Sequence, residues 1–204
     1  MTLALIDYGA GNLRSVANAL RAAGADDVVV TTDAGMVRAA DRIVLPGVGA
    51  FAASMAALKA LPGMVEALDE TVQAAGRPFL GICVGMQMMA TAGEEFGRHE
   101  GLDWIPGTVS KLEPGDADAR VPHMGWNDVA LTHAHPLVEP GEAYFLHSFA
   151  FAADDARDLL ATTDHGGPVT AAIARDNMVG VQFHPEKSQA YGLALLERFL
   201  KWHP

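Results

Sequence analysis

From Leu3 to Ile82 the chain repeats one pattern: a short unbroken apolar run, then a stretch with helical spacing, then another apolar run. Leu3 to Asp7, Val28 to Thr31, Arg42 to Leu45 and Phe79 to Ile82 read as strands. Between them Asn12 to Ala23 reads as a helix stopped by Gly24, and Phe51 to Ala60 and Met64 to Ala75 read as two more. Strands with no polar side tolerate water on neither face, so both faces of their sheet must be covered. The intervening helices supply that cover and return the chain for a parallel neighbour. The expected architecture is an α/β three-layer sandwich around a mainly parallel central sheet.

Beyond about Gly101 the texture changes. Thr108 to Leu112, Ala143 to Phe151 and Val169 to Ala174 are short runs separated by Pro, Gly and Asp, the pattern of antiparallel strands added to the sheet. Met178 to Phe183 reads as another strand. Gln189 to Trp202 closes the chain as an amphipathic helix with Leu193, Leu196 and Leu200 on one face. With no internal repeat and no long linker, residues 1–204 are expected to form one domain.

Composition narrows the function. Half of the 204 residues are apolar, enough for a substantial core. Acidic residues number 25 against 14 Lys plus Arg, a net charge of −11, which argues against a general nucleic-acid binder. One cysteine, Cys83, rules out an internal disulfide and fits a reducing compartment. The start lacks the basic and apolar regions of a secretory signal, and the most apolar run, Pro78 to Gly93, is too short to span a bilayer. A cytoplasmic protein is expected.

Cys83 lies where an apolar strand runs straight into a helix-compatible segment. Gly81-x-Cys83-x-Gly85 is a cysteine version of the nucleophile elbow. Flanking glycines remove the clashes that so tight a bend would cause, and the bend puts sulfur at a helix start, where free N–H groups favour thiolate. A buried cysteine acting as a small hydrophobe fits the same letters, so a base must decide between the readings. Met178 to Phe183 delivers His184 to a strand end, with Glu186 two residues on. In extended chain that spacing puts both side chains on one side, where a carboxylate can orient an imidazole. Alone, His-Pro-Glu is more often a surface turn; beside an elbow cysteine it completes a nucleophile, base and orienter. A third segment, Leu45-Pro46-Gly47-Val48-Gly49, frees the backbone at another strand end. The N–H of Val48 can face a developing oxyanion, with that of Val84 as the second donor.

Other motifs carry less. Gly9-x-Gly11 after the first strand imitates a dinucleotide-binding turn, but position 14 is Arg where a third glycine belongs. His133 and His135 with Pro136 read as an exposed turn, and no metal site is expected. Met86, Met88 and Met89 read as core packing on the elbow helix.

These residues resemble class I, triad-type glutamine amidotransferases. The likeness runs through Ile6 to Val16, Leu45 to Phe51, Gly81 to Gln87, Pro122 to Asn127, Tyr144 to Phe149 and Gln182 to Ser188. The opening segment, Met-Gly-Trp-Asn and the late Lys-Ser are most similar to the glutaminase subunits that serve a cyclase in histidine biosynthesis. The resemblance implies a flavodoxin-like fold and no cofactor. It implies that Cys83 attacks the glutamine carboxamide, that His184 moves the proton and that Glu186 orients His184. It makes Gly49, Gln87, His147, Ser148 and Phe149 glutamine contacts, although the family usually has tyrosine where this chain has Phe149. It also implies that ammonia passes to a (β/α)8-barrel cyclase subunit that makes imidazole glycerol phosphate, in a heterodimer with Asn12, Trp126 and Tyr144 as interface or gate residues. A flexible Gly47–Val48 peptide would then orient its N–H only in the assembled complex, leaving the isolated subunit with low activity. Two alternatives stay open: a stand-alone cysteine amidase or γ-glutamyl hydrolase of similar fold, and a non-enzymatic thiol sensor.

Overall fold

Leu3, Ala4, Leu5 and Ile6 have no solvent exposure, nor do Ile43, Val44 and Leu45. Strands this apolar are held between two helical layers. The computed structural model describes residues 1–116 and 118–204. Its first half contains β1 (Thr2–Ile6), α1 (Leu13–Ala22), β2 (Asp27–Thr31), α2 (Ala34–Ala39), β3 (Arg42–Gly47), α3 (Phe51–Ala60), α4 (Met64–Leu68), β4 (Phe79–Cys83) and α5 (Val84–Gln87). The second half contains β5 (Ala92–Gly93), β6 (His99–Glu100), β7 (Gly107–Lys111), β8 (His123–Leu131), β9 (Gly141–His147), β10 (Phe149–Ala153), β11 (Leu159–Asp164), β12 (Pro168–Arg175), β13 (Met178–Val181) and α6 (Gln189–Lys201).

A nine-stranded sheet runs in the order β2-β1-β3-β4-β13-β12-β11-β8-β9. The pairs from β2 to β13 are parallel, and those from β13 to β9 are antiparallel. Right-handed crossovers fix the layers. The step from β1 to β2 runs one way along the sheet, and the steps from β2 to β3 and β3 to β4 run the other way. Hence α1 covers one face, while α2, α3 and α4 cover the opposite one. The contacts agree: α1 packs with α6, and α4 packs with α2 and α3.

Four expectations are corrected. The antiparallel additions do not all join the main sheet, since β10, β7, β5 and β6 form a second sheet. Ala143 to Phe151 is not one strand: it breaks at Ser148, with β9 pairing to β8 and β10 to β7. The helix expected from Met64 to Ala75 is α-helical only to Leu68 and continues as π-helical turns through Asp69–Ala74. In α6, Leu193 is exposed; Leu195, Leu196, Phe199 and Leu200 make the buried face around Gly192.

The layout serves one edge. β1, β3, β4 and β13 are parallel, so their carboxyl ends meet on one side of the sheet, beside the reversal of strand order where ligands of such folds collect. There Gly85 approaches β3 so closely that an added Cβ would fall on the Leu45 carbonyl oxygen. Gly85→Ala should therefore cost about 3 kcal/mol, the upper end for overpacking, since backbone rather than a side chain must yield. Thermal unfolding should show Tm lower by ~10 °C; an unchanged Tm would mean that the turn does not seat against β3.

Candidate active site

Cys83 ends β4 with φ 54° and ψ −111°, a conformation that costs a non-glycine residue about 1–3 kcal/mol. The neighbouring backbone holds it there. An added Cβ on Gly81 would lie 2.8 Å from the Gly85 carbonyl oxygen, and one on Gly47 would lie 2.7 Å from the Gly85 nitrogen. The bend turns Cys83 out of the sheet plane into a cavity of about 360 Å³. The following helix, α5, is a single turn, so Met88 and Met89 pack in the core beyond it rather than on it. The expected thiolate-favouring helix start is thus one turn of free N–H groups, with Val84 first in line and without an intrahelical acceptor.

His184 follows β13 into the same cavity, and its backbone N–H donates to the Tyr144 carbonyl at 2.9 Å. Its Nδ1 lies 2.8 Å from Glu186 Oε1, with both side chains almost fully buried. The pairing does not come from strand alternation, as the spacing suggested. Pro185–Lys187 is a 3-10 turn with Pro185 at its start, and that turn swings Glu186 back onto the ring. Burial works to lower the His184 imidazole, but hydrogen bonding to Cys83 and to Glu186, with their charges, outweighs it and raises the pKa to about 9. Cys83, His184 and Glu186 thus stand in sequence, with Glu186 behind the cavity wall.

The other expected residues fall around them. Val48, Gly49, Val84, Gln87, His147, Ser148 and Phe149 all line the cavity. Gly47 is not the loose residue of the Pro-Gly-x-Gly segment: it is buried in β3, paired with Cys83, and hemmed in by the Tyr8 hydroxyl and Val84. Freedom is left to Val48, which is exposed, and to Gly49 at φ +99°. Gln87 donates through Nε2 to the Phe149 carbonyl at 3.1 Å and to Gln182 Oε1 at 3.0 Å. Both amide hydrogens are committed, so only its Oε1 is left for a ligand. The Phe149 carbonyl also faces His147 Nδ1 at 2.9 Å, which occupies its second lone pair.

Two site residues escaped the sequence reading. Gln182, fully buried, donates to Cys83 Sγ at 3.6 Å. Its place two residues before His184 was the available signal. Glu95 lines the cavity and accepts from the Phe51 N–H at 2.8 Å, anchoring the start of α3. It lies in a loop without a motif, and nothing local marks it. Of the three expected interface residues, Trp126 and Tyr144 are cross-strand partners whose rings meet edge to face at 6.1 Å. Asn12 is exposed at the start of α1, beside Gly11, where an added Cβ would touch Pro46 at 3.5 Å. His135 is not wholly exposed: it is half-buried, 5.6 Å from the Trp202 ring, and burial lowers its pKa. Among the described residues no single helix is long and apolar enough to cross a membrane.

The glutamine amidotransferase class-I family model matches residues 4–202. The imidazole glycerol phosphate synthase subunit HisH of Zymomonas mobilis is 64% identical, covering 100% of this chain and 97% of that one. The HisH subunit of Caulobacter vibrioides is 54% identical, covering 100% and 99%. Among solved structures, a crystal structure of a glutamine amidotransferase shares the fold at a TM-score of 0.76 and 15% identity over 98% of both chains. PurLQS from Thermotoga maritima shares it at 0.69 and 16% identity, over 98% of this chain and 97% of that one.

Glu186→Gln removes a carboxylate that raises His184 but leaves Cys83, which also raises it, and the burial that lowers it. Its imidazole midpoint, read by NMR on labelled histidine, should fall below the wild-type value of about 9. A folded-state value above 6.5 stabilises the protein below about pH 6.5, and that contribution is lost as pH rises through about 9. The stability advantage of wild type over Glu186→Gln in urea unfolding should shrink across that window; a constant gap would contradict the assignment.

Proposed function

The chain belongs to the class-I glutamine amidotransferase family, and from its full-length likeness to HisH subunits we infer that it is the glutaminase subunit of an imidazole glycerol phosphate synthase. It hydrolyses glutamine to glutamate and ammonia, the ammonia serving histidine biosynthesis. The observation that carries the reading is one cavity in which a strained elbow cysteine faces a histidine held by a buried carboxylate.

We propose the following roles. Cys83 Sγ attacks the carboxamide carbon of glutamine once its proton has passed to His184, whose raised pKa favours holding it. The carbonyl oxygen becomes an oxyanion received by the N–H groups of Val48 and Val84, the latter at the start of α5. Collapse of the tetrahedral intermediate breaks the C–N bond, and His184 returns the proton to the leaving ammonia. The γ-glutamyl thioester is then attacked by water, whose proton His184 takes, and glutamate departs with the thiol restored. Glu186 keeps the imidazole in register and balances its positive charge. Gly49, Gln87, His147, Ser148 and Phe149 hold the substrate, Gln87 through Oε1 and the Ser148–Phe149 segment through backbone, so phenylalanine in place of tyrosine costs nothing at a main-chain contact. Glu95 adds a carboxylate of the right sign for the α-ammonium group.

The partner is a cyclase subunit, and the surface offered to it is the outer face of β8 and β9. Successive strand residues point to opposite faces. Outward come Met124, Trp126 and Leu146, exposed at 66%, 46% and 37%, with Tyr144 between them. Apolar side chains on an edge ribbon beside a catalytic mouth are suited to burial by another protein. The Lys187 ammonium, 5.7 Å from the Tyr144 ring centre, lines the same mouth. Gly49 lines it on the β3 side, and the Asn12 segment follows Gly11, which lies against Pro46 of β3. The cytoplasm is the compartment that fits a reduced thiol and a biosynthetic partner.

The test is glutamate release measured with and without the cyclase. Stimulation by the cyclase and complete loss in Cys83→Ala are expected. Partner-independent cleavage of γ-glutamyl peptides would favour a stand-alone hydrolase, and oxidation of the thiol without hydrolysis would favour a sensor. Trp126→Ala should weaken cyclase binding about tenfold or more, as for a truncated aromatic anchor, read as Kd by titration calorimetry; an unchanged Kd would move the interface elsewhere.

A further inference from the structure

His147, in the cavity wall, is bonded from behind to a second histidine that takes no part in the proposed reaction. His123, at the start of β8, is sandwiched between the Phe145 ring at 4.7 Å and the His165 ring at 4.1 Å, both nearly parallel to it. Among the described residues no three His, Cys, Asp or Glu side chains are arranged to hold a metal. Instead the rings form a chain. His123 Nδ1 lies 3.0 Å from His147 Nε2, and His147 Nδ1 lies 2.9 Å from the Phe149 carbonyl. At the other end Asn127 Nδ2 lies 3.1 Å from His123 Nε2 and 2.7 Å from the Asp164 carbonyl.

The direction of every bond follows from its two ends. A carbonyl only accepts, so His147 Nδ1 carries a hydrogen and donates to Phe149. In the neutral ring Nε2 is then bare and accepts from His123 Nδ1. That leaves His123 Nε2 bare, to accept from Asn127. The Asn127 amide cannot be reversed, because Oδ1 accepts from the Asp128 N–H at 2.9 Å while Nδ2 serves Asp164. No proton can be added without setting two donors against each other.

We propose that the Asn127–His123–His147 chain is a one-way hydrogen-bond relay that holds His147 as the neutral Nδ1–H tautomer and so fixes the Phe149 carbonyl, with Gln87, as the rigid wall of the glutamine pocket. Asn127 and His123 are then positioning residues that never touch substrate. The proposal deepens the glutaminase reading and rests on it for the identity of the pocket. Electrostatics agree: burial, offset by the Phe149 carbonyl, together with His165 and His184 lowers His147 to about 4, and burial, His147 and His165 lower His123 to about 3. The charged or titratable neighbours are thus His165, whose ring faces the Arg120 carbonyl at 2.7 Å, and His184 across the pocket. A neutral His147 leaves His184 as the only imidazolium facing the substrate.

Long-range proton–nitrogen NMR on the full chain with labelled histidine reads the tautomers directly, without reference to activity. His147 and His123 should both appear as neutral Nδ1–H rings at pH 7, assigned by their loss in His147→Gln and His123→Asn. An Nε2–H or doubly protonated His147 would overturn the relay. The second arm measures glutaminase kinetics in the complex with the cyclase. His123→Phe keeps the stacked ring but deletes the bonds, and should raise the glutamine KM about tenfold with kcat little changed. His123→Asn loses the ring but returns an N–H near the Nδ1 position, and should recover most of that KM. If Phe behaves as wild type, or if Asn is no better than Phe, the ring acts by packing alone and the proposal fails. Should His123→Phe not fold, the tautomers and the Asn variant still decide. Absence of glutaminase activity in the wild-type complex would instead strike the functional reading and leave the tautomer result standing.

Discussion

Three backbones meet at the elbow with no room for a side chain, and the site is built on that contact. Gly47 of β3, Gly81 of β4 and Gly85 of α5 each present a bare Cα to main chain, where a methyl group would collide with Gly85 N, Gly85 O or Leu45 O. The close seat lets one helical turn begin directly at the strand end, which holds Cys83 in its positive-φ conformation. The strain of about 1–3 kcal/mol at one residue is sustained by burial all around it, since every residue from Phe79 to Ala90 is buried. The same contact fixes Val84 against the end of β3, so Cys83 and the Val84 N–H belong to one rigid unit, while Val48 beyond it keeps its freedom. A looser junction would leave each group present but misplaced.

Electrostatics in the pocket follow from placing two buried histidines in unlike surroundings. His184 faces a thiol and a carboxylate, both able to stabilise its cationic form, and its pKa rises to about 9. At His147 burial, with His165 and His184, outweighs the Phe149 carbonyl, and the pKa falls to about 4. Burial lowers both rings, and only at His184 do the partners overcome it. A pair driven apart in this way assigns proton transfer to one ring and fixed hydrogen bonding to the other.

The first four strands were legible because they are apolar on both faces and because glycine marks each bend. The elbow, the Pro-Gly-x-Gly turn and His-Pro-Glu could be found by position alone, each at a strand end. β8 could not. Its inward residues include His123, Gly125 and Asn127, while Met124 and Trp126 face outward, so the usual alternation of apolar-in and polar-out is inverted. Leu193 misled in the same manner on α6, an apolar residue facing solvent. The His184–Glu186 pairing was expected for the wrong geometric reason, because Pro185 replaces extended chain by a tight turn. Glu95 was invisible, since its bond to Phe51 spans 44 residues of sequence.

The inversion in β8 and β9 has a physical basis. A ribbon at the edge of a sheet has two faces and one backbone. Here the inner face carries His123, Asn127, Phe145 and His147, and the outer face carries Met124, Trp126, Tyr144 and Leu146. Met124 lies between His123 and Gly125, and Leu146 between Phe145 and His147, so no outer side chain is more than one residue from the inner set. Tyr144 also holds the segment that carries His184: its N–H donates to Ser188 Oγ at 2.9 Å, and its carbonyl accepts from the His184 N–H. The polar residues inside are tolerable only because each hydrogen bond in their chain is matched. The apolar residues outside are exposed in the isolated chain, and a protein surface laid over them would relieve that exposure. One pair of strands therefore sets the wall of the cavity and the face proposed for the partner, and neither can shift in register without the other.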